Sequence, residues 1–235
     1  MLSGKKILLG VTGSISAYKS VYLTRLLVQK GAQVKVIMTP CATEFVSPIS
    51  FATLSKNPVS VNFVNDKSSG MWENHVELGN WADLFLIAPA TANTIAKMVN
   101  GIADNLLLAT WLSNKTSVML APAMDHDMFH HFTTQKNLEI LHENNVIVLD
   151  TEQGELASGI YGDGRLLEPE KIVGKVVSFF ESKNKTSLSI ILAFRLVLML
   201  NSIFLTDTFF LSFNSEANPF PKYFILASIP ALISS

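Results

Sequence analysis

The chain reads as an α/β protein, a three-layer doubly wound parallel sheet, and three observations carry that expectation. Short β-rich apolar runs alternate with helical patterns through about residue 180, the order that right-handed crossovers between parallel strands require. Two runs reach a proline and pass into small hydroxyl or amide residues: Ala88-Pro89-Ala90-Thr91-Ala92-Asn93-Thr94 and Ala121-Pro122-Ala123-Met124-Asp125-His126-Asp127-Met128. The first run opens into a glycine- and serine-rich turn, Gly10-Val11-Thr12-Gly13-Ser14-Ile15-Ser16, ahead of a helix.

Strands are expected near Lys6–Val11, Val34–Met38, Leu84–Ala88, Ser117–Ala121 and Val146–Leu149. Each is a short, nearly unbroken apolar run, as a parallel strand covered on both faces demands. Helices are expected at Ser16–Lys30, Ala42–Ser55, Ala92–Asn100, Asn105–Leu112, Thr133–Asn144 and Pro169–Glu181, where apolar residues recur at helical spacing. In such a sheet, ligands sit beyond the carboxyl ends of the strands, so the two proline-bearing ends, one βα unit apart, predict a shared cavity.

With 235 residues, 49% of them hydrophobic, the chain can bury one sizeable core. Its net charge of −1 gives no electrostatic footprint for nucleic acid. Cys41 is the sole cysteine, so no internal disulfide can form; it reads as a small packed residue in a reducing, cytoplasmic setting. The apolar stretch Ile7–Val11 is too short for a secretory signal, and none is expected.

Composition changes after the helix ending near Glu181. Residues 187–205 are almost continuously apolar, but Arg195 at the centre of a membrane span would cost about 2.5–3.5 kcal/mol, and Asn201 adds to the difficulty. The expected division is a domain over residues 1–181 and an atypical hydrophobic tail over 182–235, outside the domain and out of frame or truncated, with membrane insertion disfavoured.

Gly13 permits the tight turn after the first strand, while Ser14 and Ser16 set hydroxyls beside the free N–H groups of a helix start, a seat for phosphate. The other reading of Ser16 is a plain N-cap. A dinucleotide site would need Gly-x-Gly-x-x-Gly and an acidic residue ending the second strand. That strand ends instead in Ile37-Met38-Thr39-Pro40, a hydroxyl, which favours a mononucleotide-sized ligand such as FMN.

Together, Gly13-Ser14-Ile15, His75, the 89–94 segment, the 122–128 segment and Ala157-Ser158-Gly159-Ile160-Tyr161-Gly162-Asp163-Gly164-Arg165 resemble the phosphopantothenoylcysteine decarboxylases, a branch of the homo-oligomeric flavin-containing cysteine decarboxylases. The resemblance runs to about residue 180 and implies a flavodoxin- or Rossmann-like fold. It implies FMN contacts from Gly13, Ser14, Ile15, Thr39, Thr91, Ala92, Asn93, Thr94 and Ala123, and substrate contacts from Asp125, Ala157 and Gly159. It also implies a homotrimer, or four trimers in a dodecamer, with the flavin between subunits. Nothing after residue 180 resembles the ligase half to which this domain is fused in many bacteria.

The implied reaction oxidises a terminal cysteine to a thioaldehyde whose carbon–sulfur double bond accepts the electrons freed as CO2 leaves; hydride then returns to the enethiol. His75 is implied as the base for the thiol, a role imidazole can fill because its ordinary pKa lies near 6.5 and a thiol's near 8.5. Taken alone, His75 would read as a surface or capping residue. Ser158 stands where many members carry a cysteine that protonates the enethiol carbon; its hydroxyl is a far weaker acid, leaving Tyr161, Asp163 or water to deliver that proton. Asp125 replaces a common asparagine and Phe129 a usual tryptophan, and an ionised aspartate would repel a substrate carboxylate.

Other readings of the same residues are a decarboxylase of peptide C-terminal cysteines, a flavin prenyltransferase and a flavodoxin-like electron carrier; the near-neutral charge argues against the carrier's acidic docking face. Asp125, His126, Asp127, His130 and His131 carry metal-ligating side chains, with His126 and His130 one helical turn apart. No third ligand at a recognisable spacing accompanies them, so no metal is expected. Trp72, Trp81 and Trp111 read as core or subunit-interface aromatics, the first two flanking His75.

Overall fold

In the computed structural model, residues 2–66, 71–185 and 189 are described. The chain divides into two units, residues 1–181 and 182–235. Of the second unit only residues 182–185 and 189 are described, all helical, so the expected tail lies almost entirely outside the described residues.

The first unit begins with β1 (Lys6–Val11), whose residues after Lys6 are all buried. α1 (Ala17–Gln29), β2 (Gln33–Met38) and α2 (Pro48–Ser55) follow, then β3 (Val59–Ser60), β4 (Val64–Asp66), β5 (Met71–Trp72) and α3 (His75–Trp81). Next come β6 (Leu84–Ala90), α4 (Ala92–Val99), α5 (Leu106–Ser113), β7 (Ser117–Pro122), α6 (His126–His130), α7 (Phe132–Glu143) and β8 (Ile147–Val148). The unit closes with β9 (Glu152–Glu155), β10 (Tyr161–Arg165) and a helix, α8, over residues 169–181.

Six strands form one sheet in the order β3-β2-β1-β6-β7-β8, and every pair in it is parallel. Alternate side chains feed two cores, because successive residues of a strand point to opposite faces. Ile7, Leu9, Val11, Leu84 and Leu86 pack with Leu23 and Leu27 of α1 and with Ile172 and Val176 of α8. Leu8, Phe85, Ile87 and Leu120 pack on the other face with Leu78, Ile95, Met98, Leu107 and Leu141. Burying each such side chain contributes about 1.5–3 kcal/mol, which is why the strands tolerate no polar face.

Three expectations needed correction. The helix expected over Ala42–Ser55 is broken into a 3-10 turn at Pro40–Glu44 and α2, which starts at Pro48 with Ser47 as its cap. Pro48 has no N–H and disfavours helical geometry at Ser47, so one continuous helix cannot form. β6 does not stop at Pro89; it runs to Ala90, which pairs with Pro122 after a register shift. The two-residue β3, the hairpin of β9 and β10, and the short helices α3 and α6 were not anticipated, being too brief for periodicity to register.

Candidate functional site

The strand order changes direction between β1 and β6, so the loops leaving these neighbours diverge and open a crevice at the carboxyl edge of the sheet. Its wall is tied across the two strands. The buried Thr12 hydroxyl donates to the Pro89 carbonyl at 2.8 Å and accepts from the Thr91 N–H at 3.2 Å. Ser20 on α1 donates to the Ala88 carbonyl at 2.7 Å. Thr91 then caps α4, its Oγ1 accepting from the Thr94 N–H, which leaves the Ala92 and Asn93 amides opening the helix without intrahelical acceptors.

A cavity of about 570 Å³ occupies this crevice, lined by Gly13, Ser14, Thr39, Thr91, Ala92, Asn93, Thr94 and Ala123 among others. Eight of the nine residues expected to hold the cofactor therefore converge on one space. Ile15 does not; it is 60% exposed and lines a second cavity. Thr39 is buried, and its Oγ1 has no hydrogen-bond partner among the described residues. A buried hydroxyl left unmatched is costly, and here it sits in the wall of a space large enough for a mononucleotide.

Sequence reasoning missed other parts of this wall. Cys41, expected to be packed, is exposed and lines the cavity, because the 3-10 turn directs Ala42 inward instead. Lys97 and Asp104 form an ion pair at the rim, and the hydrogen bond and charge from Lys97 hold the Asp104 carboxyl below the usual carboxylate range. The available signal was Asp104-Asn105 at the start of α5, whose Asn105 cap fixes the pair at the sheet's carboxyl edge.

The second cavity, about 580 Å³, shares Ser14, Ala123 and Met124 with the first. The antiparallel β9–β10 hairpin walls it, and Asp125, Ala157 and Arg165 face it. Lys19, almost wholly buried, binds Glu168 at 2.9 Å, and Arg165 binds the same carboxylate at 2.8 Å. The hairpin is hooked in place by the Met124 N–H donating to the Gly164 carbonyl at 2.9 Å. Gly164 has φ +110°, and a Cβ there would lie 2.5 Å from the Met124 carbonyl oxygen, so this contact requires glycine.

Ser158 and Gly159 lie at the exposed hairpin turn and line neither cavity. His75 also lines neither. It opens α3 behind the Asn74 cap, with its ring edge-on to Phe63 at 6.4 Å and Trp72 at 6.1 Å; its Nδ1 is buried without a partner among the described residues. Phe63, Val64, Trp72 and Val76 around it are exposed. Trp81 and Trp111 instead pack against the second core, Trp111 donating to the Met98 carbonyl at 3.2 Å.

A larger cavity, about 650 Å³, lies at the opposite edge, beside the first residues of β7. Ligands of open α/β sheets bind at the other end, beyond the carboxyl ends of the strands. Among the described residues no helix is long and apolar enough to cross a membrane.

Residues 1–181 match the family described as Flavoprotein. The Vibrio cholerae coenzyme A biosynthesis bifunctional protein CoaBC is 43% identical over 182 residues, 77% of this chain and 45% of that protein. A cysteine/cysteine sulfinic acid decarboxylase from an unknown prokaryote is 55% identical over 141 residues, 60% of this chain and 39% of that protein. The chain thus spans less than half the length of these curated relatives. Among solved structures, a cysteine-to-serine mutant of PPC decarboxylase complexed with pantothenoylaminoethenethiol is 30% identical, with a TM-score of 0.66 over 75% of this chain and 98% of that one.

Proposed function

Since the chain belongs to the Flavoprotein family, we propose that it binds FMN and decarboxylates 4′-phosphopantothenoylcysteine to 4′-phosphopantetheine in coenzyme A biosynthesis. One observation carries the reading: two adjoining cavities meet at Ser14, Ala123 and Met124, one walled by an unmatched buried hydroxyl and an open helix start, the other closed by a hairpin. The first suits a phosphorylated planar cofactor and the second the arm of its substrate.

Bound FMN supplies a two-electron oxidation and its reversal, so that CO2 is lost without net redox change. Gly13, Ser14, Thr39, Thr91, Ala92, Asn93, Thr94 and Ala123 would hold the cofactor, with Ile15 on the adjoining cavity. Asp125 and Ala157 line the substrate side, where Arg165, paired with Glu168, is the cationic group; Gly159 would meet the substrate from the exposed hairpin turn. His75 takes the thiol proton. Ser158 is too weak an acid to protonate the product carbon, and Tyr161, Asp163 or water does so.

His75 lines neither cavity of its own chain, so in this reading a second copy brings the flavin to it. The exposed Phe63, Val64, Trp72 and Val76 beside it support a homo-oligomer, a trimer or four trimers in a dodecamer, with the cofactor between subunits.

The test is mass spectrometry of the product formed by the FMN-reconstituted chain from the phosphorylated substrate. The saturated thiol supports the full reaction; enethiol alone shows that position 158 has removed the last protonation; a colourless protein that takes up no FMN refutes the reading. His75→Asn is expected to stay yellow and lose at least about 100-fold in turnover. A monomer in sedimentation equilibrium overturns the oligomer. Free cysteine is a second reading, favoured by the likeness to the cysteine/cysteine sulfinic acid decarboxylase that is 55% identical over 141 residues. Competition between cysteine and the phosphorylated substrate separates the two.

A further inference from the structure

The third ligand that the sequence did not show comes from the hairpin. On α6, His126 and His130 are four residues apart and therefore share a helical face, and their rings lie 4.5 Å apart between centroids. Asp163 of β10 lies opposite: its Oδ2 is 3.0 Å from His130 Nε2, and its N–H donates to His126 Nδ1 at 3.1 Å. One ligand atom from each of the three residues falls within 4.8 Å of the others. The strand can come this close because residue 162 is glycine; a Cβ there would lie 2.5 Å from His126 Nδ1.

We propose that His126, His130 and Asp163 bind a first-row divalent cation of the zinc class, which ties the β9–β10 hairpin to α6. Two imidazoles and one carboxylate make a frequent donor set for such ions, with metal–ligand distances near 2.0–2.2 Å and ligand atoms about 3.3 Å apart in a tetrahedron. The 3.0 Å pair already has that spacing. Imidazole nitrogens bind such an ion through a lone pair, and the Asp163 side chain supplies a carboxylate oxygen beside them. Capture of the ion exchanges the hydrogen bond from the Asp163 N–H to His126, since a ring nitrogen cannot serve an amide and a metal together. One water completes the tetrahedral shell, since His130 is half-exposed.

The consequence is mechanical. α6 begins directly after Asp125, which lines the hairpin cavity, and β10 carries Gly164, which hooks onto Met124. An ion joining these elements holds the hairpin against the cavity and restrains its opening. Its test stands apart from the decarboxylase reading, since neither the cofactor nor turnover enters it; with the ion on Asp163, Tyr161 or water delivers the proton in that reading.

The chelator-stripped full chain is titrated with zinc chloride by calorimetry and with cobalt chloride by visible absorption. One ion per chain is expected. His130→Ala and Asp163→Asn are each expected to lose more than the roughly 10–100-fold that loss of an outer hydrogen-bond partner causes, while His142→Ala, exposed on α7, binds as the parent does. Zinc is also expected to slow amide exchange across residues 152–165, and not in His130→Ala. The proposal is overturned if the parent takes up no stoichiometric ion, if either ligand variant binds as tightly as the parent, or if exchange in the hairpin is unchanged by bound zinc.

Discussion

Replacing Thr12 with valine keeps the shape of a fully buried side chain and removes one hydroxyl that joins β1 to the end of β6. The Pro89 carbonyl, itself buried, loses its 2.8 Å donor, and the half-buried Thr91 N–H loses its 3.2 Å acceptor. An unsatisfied buried polar group costs about 1–3 kcal/mol; the carbonyl falls in the middle of that range and the amide, which water can reach, near the bottom. The expected loss is therefore about 2–4 kcal/mol. Thr12→Ser keeps both bonds and gives up one methyl, a loss of about 1 kcal/mol. Urea unfolding followed by circular dichroism, at one protein concentration and with the denaturant slope unchanged, measures both. Thr91 also caps the helix that opens on the cofactor cavity, so Thr12→Val is expected to weaken FMN uptake, read by quenching of flavin fluorescence. If valine comes within about 0.5 kcal/mol of the parent, or serine is as damaging as valine, the two bonds do not hold the strand ends together.

Thr91→Ala removes the cap of α4 and is expected to cost about 1 kcal/mol in thermal or urea unfolding, with a parallel fall in FMN affinity. Gly164→Ala forces a Cβ against the Met124 carbonyl at a positive φ; limited proteolysis of the 152–165 hairpin is expected to accelerate while the sheet core keeps its unfolding midpoint. The Lys97–Asp104 pair gives a pH signature. Because the folded-state pKa of Asp104 is lowered, by its hydrogen bond from Lys97 first, its contribution is present above the ordinary carboxylate value and is lost as pH falls through the folded value. Lys97→Met is thus expected to lower the urea midpoint slightly at neutral pH, both side chains being solvent-accessible, with the gap to the parent closing below about pH 4.

Much of the fold was legible because burial on both faces leaves a one-dimensional trace. The runs Ile7–Val11, Leu84–Ala88 and Ser117–Ala121 could satisfy their apolar side chains only as interior strands, and the helices expected at Ala92–Asn100 and Asn105–Leu112 were found within a residue or two of those bounds. Eight of the residues that the family resemblance assigned to the cofactor line one cavity, since a parallel sheet delivers every strand's carboxyl end to one edge.

What the sequence alone determined is five of the six strands of the main sheet, their shared polarity and the residues that end them at that edge. Only the tertiary structure decided the break before Pro48, the exposure of Cys41, the separation of His75 and Ile15 from the cofactor cavity, and the meeting of Asp163 with His126 and His130. The physical reason is range. Apolar alternation and helix caps are satisfied within a few neighbouring residues, whereas the hairpin's approach to α6 joins positions 33 and 37 residues apart through Gly162 and Gly164, contacts with no local periodicity to announce them.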